Sequence, residues 1–334
     1  MARQGLQYRI ATGRLTLPVT FILTLLVWGG WGWMMPGTGI QETYLFHRIL
    51  WQWMPGEWAD RILMFLSYVF VAYLLIEINN ACAIVRMRTS MQASVYGWLL
   101  LASPCLFIPS VGPLVACCLI LSLYYLFQGY QQNEPVGRVF HAWLFWGIGT
   151  MLFPALFYFL PLLLVGAYMF KELSWRTFFA GVVGLSVPYW FLLVYAYSGE
   201  RMEVFKAPFR ELVNFQPLFS YVPQGWMLVS AGLLFLLLLV ASLHYMLTSY
   251  DDKIRTRNYL LFLIFSGFAF VLFGVLQPQH AVLLLSVLLP IVAFLGTHLF
   301  ALSQGRMPNV FFIVYMCLLL AAFSYNIWMH SYSS

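Results

Sequence analysis

The chain has 334 residues, of which 62% are hydrophobic, 19% aromatic and only 8% charged. This composition excludes a water-soluble globular protein, in which about a quarter of the residues are charged. The formal net charge of +6 would suit a nucleic-acid-binding protein, but Lys and Arg lie in short segments between long apolar runs. They therefore predict membrane topology, and no nucleic acid is expected as a partner.

Eleven apolar stretches are long and uncharged enough to predict transmembrane helices. They fall near residues 16–35, 62–79, 90–107, 113–129, 139–153, 155–170, 177–198, 226–248, 259–276, 281–301 and 309–329. The first stretch lacks the small-residue cleavage pattern of a signal peptide, so we expect it to remain as the first helix. The sequence predicts an all-α polytopic bundle of about eleven transmembrane helices in a single membrane domain, residues 1–334.

One stretch of the sequence is ambiguous. Residues 139–170 carry no charge and form either one long kinked helix or two short helices broken near Phe153-Pro154. With two helices and a cytoplasmic N-terminus, Lys and Arg divide 12 to 5 in favour of the cytoplasmic side, whereas one helix makes the division 9 to 8. The positive-inside bias favours two helices. We therefore predict a cytoplasmic (inner) membrane protein with its N-terminus inside and its C-terminus outside.

Two connections are long and rich in aromatic and charged residues, and both are predicted on the outer side. They are residues 36–61 and 199–225, and their composition is typical of helices lying along the membrane interface. The second loop places an apolar set beside three cations; the apolar set is Phe205, Phe209, Leu212 and Phe215, and the cations are Arg201, Lys206 and Arg210. We expect any chemistry to lie under these loops.

The two outer loops combine acidic and basic side chains. The acids are Glu42, Glu57, Asp60, Glu200, Glu203 and Glu211, and five Arg or Lys accompany them. Acids for proton transfer and cations for phosphate binding can share one cavity. The alternative is that these are solvated loop charges without a specific role, which is the commoner case.

Polar residues inside the predicted spans are few. Glu77 is the one carboxylate set within a span, and such a residue is a functional candidate unless it pairs with Arg86 or Arg88 near the cytoplasmic end. Three histidines fall at one depth near the cytoplasmic ends of their spans, namely His141, His244 and His298. They suit a metal or proton site, but no metal-ligand spacing is present, so we predict no metal site.

The order of these features resembles the GT-C superfamily of membrane glycosyltransferases, which use polyprenyl-linked sugars outside the cytoplasmic membrane. The resemblance covers mainly residues 15–192. The family's first outer loop carries an Asp-Glu-x-x-Tyr-like motif, which is similar to Gln41-Glu42-Thr43-Tyr44. Arg86-Met87-Arg88, followed by an apolar run ending in Ala102-Ser103-Pro104, resembles its basic turn and next span. Residues 143–192 resemble its middle region, and also an uncharacterised multi-span membrane family of Bacteroidetes.

The resemblance implies a GT-C-like fold and an acid in the first outer loop that deprotonates the acceptor or holds a divalent metal. Gln41 stands where the family has this acid, and Glu42 next to it can substitute. Where a second outer acid usually follows the Ser-Pro span, this chain has only residues 109–113, Pro-Ser-Val-Gly-Pro. An amide is no general base, and one carboxylate holds a divalent metal poorly. The cofactor is therefore left open, with a divalent metal only weakly supported.

These observations lead to one functional prediction and two alternatives. The protein is predicted to serve cell-envelope glycan or lipid biogenesis by transferring a sugar from a polyprenyl-phosphate donor, with a membrane lipid as its partner. Glu42 is the expected base, His47 orients it, and the lipid phosphate is bound by Arg48, Arg201, Lys206 and Arg210. The alternatives are a non-catalytic scaffold or lipid-binding partner of other envelope membrane proteins and, with less support, a transporter.

The predicted topology can be tested by labelling introduced thiols in a background without the native cysteines. Leu45→Cys and Phe205→Cys are expected to react with a membrane-impermeant maleimide added outside the cytoplasmic membrane. A thiol at the predicted inner position, Lys253→Cys, serves as the matched control and should react only after permeabilisation. Reaction of the first two thiols only after permeabilisation would contradict the predicted orientation.

Overall fold

The computed structural model describes residues 10, 13–34, 57–87, 89–213, 215, 217, 221, 223–302 and 305–333. The helices of these residues are α1 Thr16–Met34, α2 Glu57–Cys82, α3 Met91–Ala102, α4 Gly112–Gln128, α5 Val136–Leu152, α6 Leu160–Met169, α7 Trp175–Ser198, α8 Met202–Val213, α9 Gly225–Thr248, α10 Ile254–Leu276, α11 Ala281–Leu302 and α12 Arg306–Ser333. Short 3-10 helices follow α3, α5, α9 and α10. The described part of the chain contains no strand, so the predicted all-α fold is confirmed.

Each of the eleven predicted spans coincides with a helix, and the additional helix, α8, lies in the second long loop. Within the described ranges, seven helices are long and apolar enough to cross a membrane by themselves: α1, α2, α7, α9, α10, α11 and α12. The other four spans are shorter. With 12 and 10 residues, α3 and α6 are only about 18 and 15 Å long, against a hydrocarbon core of about 30 Å. The protein is thus a multi-pass membrane protein in which α3 and α6 are shorter than the hydrocarbon core.

Successive helices run antiparallel, which gives the bundle two distinct ends. At one end Asn326 of α12 donates to the carbonyl of Ala102 (2.7 Å), and Ser103 contacts Ser230 of α9 (2.6 Å). We call this end the loop face, since α1 ends and α2 begins there and α8 lies on it. The opposite end is the basic face, which carries Arg14, Arg86, Arg138, Lys171, Arg176, Lys253, Arg255, Arg257 and Arg306. The basic face is the predicted cytoplasmic side.

Three hairpins end at the loop face in tips of the same kind. The tips are the 3-10 helices Pro104–Phe107, Pro154–Phe159 and Pro278–His280, which follow α3, α5 and α10. Before each proline the backbone leaves the helical region, with φ of −128°, −136° and −132°, because the proline ring disfavours a helical residue in front of it. In each tip the carbonyl before the proline accepts a hydrogen bond from the amide three residues later, at 3.0, 3.0 and 3.2 Å.

The tip at Phe153-Pro154 decides how the charge-free run 139–170 crosses the membrane. α5 ends at Leu152, the chain turns through Pro154–Phe159, and α6 returns towards the basic face. The two-helix interpretation from charge placement is therefore confirmed.

The hairpins assemble around α11, which is the central helix of the bundle. Its membrane-spanning segment is buried throughout, and it packs against α3, α4, α9 and α10. A helix that is apolar on all sides and enclosed by other helices has no lipid-facing stripe. The outer helices, by contrast, present many exposed apolar side chains, such as Leu26 of α1 and Leu320 of α12, as lipid contact requires.

The packing of α5 against α7 depends on glycines. A Cβ built on Gly147 of α5 would lie 2.7 Å from the carbonyl oxygen of Leu185, and one on Gly184 of α7 would overlap the carbonyl oxygen of Phe140. Gly181 similarly admits the ring of Trp143. Small residues at such an interface let two backbones approach closely, which is a common mode of helix association in membranes.

We expect Gly147→Ala and Gly184→Ala to destabilise the protein by about 1–3 kcal/mol each, because backbone atoms cannot move aside for the new methyl group. Gly232→Ala in α9 is the matched control, since no atom lies within 4 Å of a Cβ at that position. Thermal unfolding in detergent should give melting temperatures several degrees lower for the first two variants and an unchanged or higher value for the control. Equal melting temperatures in all three variants would refute close α5–α7 packing.

Candidate functional site

The loop face carries an aromatic and polar cluster where the α5–α6 and α10–α11 tips meet. We call Phe153, Tyr158, Phe273, Gln279 and His280 the tip cluster. The His280 ring stacks on Phe273 (centroids 6.1 Å apart, 7° between planes) and meets Phe153 edge-on at 5.2 Å. The Gln279 amide lies 3.1 Å from the His280 Nε2 atom, and Tyr158 packs 6.0 Å from Phe273. Tyr158, Gln279 and His280 are at least partly exposed, so they are accessible from this end.

The amphipathic helix α8 lies directly beside the tip cluster. The Tyr158 hydroxyl donates to the carbonyl of Leu212, Phe215 packs on the Tyr158 ring at 5.2 Å, and Phe209 packs on Tyr189 of α7 at 5.6 Å. Of the four residues predicted to share one apolar face, Phe209 and Phe215 therefore contact the bundle through their rings, and Leu212 contacts it through its carbonyl. Their spacing of three to four residues is the signal that predicted the helix.

The three predicted phosphate-binding cations of the second loop lie at or on α8. Arg201 precedes the helix and is exposed, while Lys206 and Arg210 lie on its exposed side. Glu203 pairs with both of the latter: its carboxylate is 3.7 Å from the Lys206 Nζ atom and 2.7 Å from an Arg210 guanidinium nitrogen. Exposed pairs of this kind are weak and open readily. The structure thus brings Lys206 and Arg210 together above the bundle but neutralises part of their charge.

The described residues of the loop face include one buried acid, Asp60 in the first turn of α2, which is 8% exposed. Its neighbour Arg61 is also buried, donates to the carbonyl of Gly32 and lies over the Trp58 ring at 5.6 Å. In the sequence, Asp60 is only one of six acids in the two long loops. The structure distinguishes it by burial, which no local sequence signal indicated.

The predicted base Glu42, its orienting residue His47 and the phosphate ligand Arg48 lie outside the described residues. The structure therefore leaves these three assignments as predictions.

The basic face holds the second polar cluster. Asp252, which follows α9, accepts hydrogen bonds from Arg86 (2.9 Å to Nε) and contacts the His298 Nε2 atom of α11 at 3.1 Å. Its side chain is 2% exposed. Burial raises the pKa of the Asp252 carboxyl, but its bonds to His298 and Arg86 outweigh this and hold the pKa below its usual value. The cluster thus ties three segments of the basic face together.

Of the three histidines predicted at one depth, the structure places two close together and the third elsewhere. His244 of α9 lies close enough to His298 and Asp252 to feel their charges, but His141 stacks on Tyr125 at 5.0 Å on another side of the bundle. Among the described residues no group of three or more His, Cys, Asp or Glu is arranged to hold a metal ion. Arg86, which had been a possible partner for Glu77, pairs with Asp252.

An apolar groove of about 240 Å³ lies between α1, α3 and α12. Its walls are Leu23, Val27, Trp98, Leu101, Ala102, Met316, Leu319, Leu320 and Phe323. These apolar residues lie on helices of the membrane bundle, so lipid chains are the expected occupants.

No family model matches the chain, and no curated protein matches it. Among solved structures, the chain is similar to the crystal structure of ArnT from Cupriavidus metallidurans bound to undecaprenyl phosphate, with 16% identity and a TM-score of 0.49. The match covers 86% of this chain and 50% of that one, so the chain spans about half the length of ArnT. The likeness concerns the arrangement of the helices, and it does not transfer the activity.

The Asp252 cluster predicts a stability that depends on pH. Asp252→Asn should lower the free energy of unfolding by about 3 kcal/mol at pH 7, because His298 and Arg86 lose their buried partner. Since the Asp252 pKa is lowered in the folded protein, the stabilisation is present at neutral pH and is lost as the pH falls through that pKa. Melting temperatures of wild type and Asp252→Asn should therefore differ over the whole range from pH 7 to about pH 4 and converge only at lower pH. The control variant Glu200→Gln, at an exposed position, should have the melting temperature of wild type at each pH. A difference in melting temperature between wild type and Asp252→Asn that stays constant as the pH falls below this range would contradict the assignment.

Proposed function

We propose that the protein serves cell-envelope glycan or lipid biogenesis and transfers a sugar from a polyprenyl-phosphate donor at the loop face, on the outer side of the cytoplasmic membrane. The observation that carries the proposal is the position of α8. This helix holds Lys206 and Arg210 on its exposed side and packs its other side on the turn that bears Tyr158. Cations and an aromatic, hydrogen-bonding surface are thereby neighbours at one membrane interface.

The chemistry of these two groups suits the two halves of a lipid-linked sugar. Arg and Lys form charge-assisted hydrogen bonds to phosphate oxygens. The tip cluster offers ring faces together with the amide of Gln279 and the imidazole of His280, which suit an uncharged, hydroxyl-bearing ring.

In the proposed reaction an acceptor hydroxyl attacks the anomeric carbon of the sugar, and the bond from that carbon to the phosphate oxygen breaks. The acceptor proton passes to a carboxylate, for which Glu42 is the proposed base with His47 orienting it. The electron pair leaves with the polyprenyl phosphate, whose added negative charge Arg48, Arg201, Lys206 and Arg210 would stabilise. Asp60 is a further acid whose burial suits proton transfer.

A second candidate is a non-catalytic protein that binds the lipid for an envelope complex. Two observations favour it: Gln41 stands where the resemblance implies an acid, and Glu203 neutralises part of the charge of Lys206 and Arg210. Both candidates require binding of a polyprenyl phosphate, and only the first requires a carboxylate base.

The shared requirement is tested by native mass spectrometry with undecaprenyl phosphate as the probe. The combined change Arg201→Ala, Lys206→Ala and Arg210→Ala should weaken binding about tenfold or more, since each charge-assisted contact contributes on the order of 1–3 kcal/mol. The matched control removes three exposed cations of the basic face, Arg176, Lys253 and Arg306, and should leave binding unchanged. Equal affinities for both triple variants would exclude α8 as the phosphate site.

Catalysis is tested separately by replacing Glu42 or Asp60 with the matching amide and measuring envelope glycans in the native host. Loss of a glycan with unchanged lipid binding would support sugar transfer through the replaced acid. Unchanged glycans in both variants, with lipid binding intact, would instead support the non-catalytic candidate.

A further inference from the structure

The turn between α6 and α7 buries a carboxyl group that no other part of the proposed mechanism uses. The Glu172 residue is 2% exposed. Neither of its carboxyl oxygens has a hydrogen-bond partner among the described residues. A buried carboxylate without hydrogen bonds is costly enough that such groups normally become neutral, so the surroundings of Glu172 decide its charge.

The backbone holds Glu172 in this position from both sides. Its amide donates to the carbonyl of Ala167 at the end of α6 (2.9 Å), and its own carbonyl accepts from the Thr177 hydroxyl of α7 (2.7 Å). The residue before it, Lys171, has φ +59°, as in the helix-ending motif in which the following residue usually makes an apolar contact. Glu172 thus places a carboxyl group where an apolar side chain is normal.

The carboxyl group packs directly on the turn between α4 and α5. A Cβ built on Gly129 would overlap both Glu172 carboxyl oxygens, so this contact exists only because residue 129 is a glycine. Close by, the Gln131 amide donates to the carbonyl of Phe170 (3.1 Å). The two turns therefore close on each other with the Glu172 carboxyl between them.

The charged and titratable groups that face Glu172 form no hydrogen bond with its carboxyl group. Arg138 of α5 exerts a positive charge on it, but its guanidinium donates to the carbonyl of Gln128. The hydroxyl of Tyr259 from α10 donates to the carbonyl of Phe127 (2.6 Å). The carbonyl ends of α4 and α6 lie at the same turns, and the negative end of a helix dipole disfavours a carboxylate.

These surroundings favour the neutral acid. Burial raises the pKa of the Glu172 carboxyl to about 9, with the Arg138 charge acting in the opposite direction. Because the folded-state pKa is raised above the unfolded value, ionisation opposes folding. The resulting loss of stability begins above the unfolded pKa of about 4.3 and is complete once the pH passes the folded value.

We propose that Glu172 is a proton-binding site on the basic face: its neutral acid closes the α4–α5 turn onto the α6–α7 turn, and loss of its proton opens them. One turn joins α4 to α5, the other joins α6 to α7, and both lie at the basic face. Opening them loosens the α5–α6 hairpin at the end opposite the tip cluster. The site does not depend on sugar transfer, and it would operate equally in a non-catalytic protein.

The first test follows thermal unfolding of the full-length protein between pH 5 and pH 9. The melting temperature of wild type should fall by several degrees more over this range than that of Glu172→Gln, and the two should agree near pH 5. Glu134→Gln is the matched control, because Glu134 is exposed in the neighbouring turn; it should retain the wild-type pH dependence. Parallel curves for wild type and Glu172→Gln would overturn the proposal.

The second test examines the contact independently of any titration. Gly129→Ala should lower the melting temperature in wild type but have a much smaller effect in a Glu172→Ala background, where the overlapping carboxyl is absent. Equal effects in both backgrounds would show that the carboxyl does not pack on Gly129. Hydrogen exchange of residues 129–135 and 170–174 should also rise more steeply with pH in wild type than in Glu172→Gln, and an identical rise would contradict the opening of the turns.

Discussion

Inside a bilayer every backbone polar group must find a partner within the protein, and this constraint determines where the helices of this chain can end. Three helices end before a proline at the loop face, and each break is closed by the same hydrogen bond of a 3-10 helix. The free groups at these breaks are taken up by neighbours. Asn326 bonds the carbonyl of Ala102, and the Tyr68 hydroxyl bonds the carbonyl of Leu106.

The meeting of two hairpin tips connects the fold with the proposed function. Because the tips of the α5–α6 and α10–α11 hairpins meet, Tyr158 and His280 reach one surface from segments far apart in sequence. The amphipathic α8 can pack there because Phe209 and Phe215 find aromatic partners in α7 and in the 154–159 turn. The cations of α8 are then neighbours of a surface of rings and amides, which suits the proposed binding of a phosphate-linked sugar.

The sequence predicted the features that depend on local pattern. Apolar runs located the spans, charge placement separated α5 from α6, and the spacing of apolar residues identified α8. What it missed depends on contacts between distant segments. The break before Pro104 fell inside the predicted span 90–107, because hydropathy does not register a tip that is buried in protein. Asp252 and Glu172 look like ordinary loop acids in the sequence, and only the partners that reach them distinguish one as an ion-paired group and the other as a neutral one.

The central claim is the proposal that the loop face binds a lipid phosphate between α8 and the tip cluster. The most direct measurement is a cryo-electron microscopy structure of the protein in lipid nanodiscs supplied with undecaprenyl phosphate. The account predicts phosphate density between α8 and the tip cluster, within hydrogen-bonding distance of Lys206 or Arg210. Side chains filling that space completely, or phosphate density only at the basic face, would contradict it.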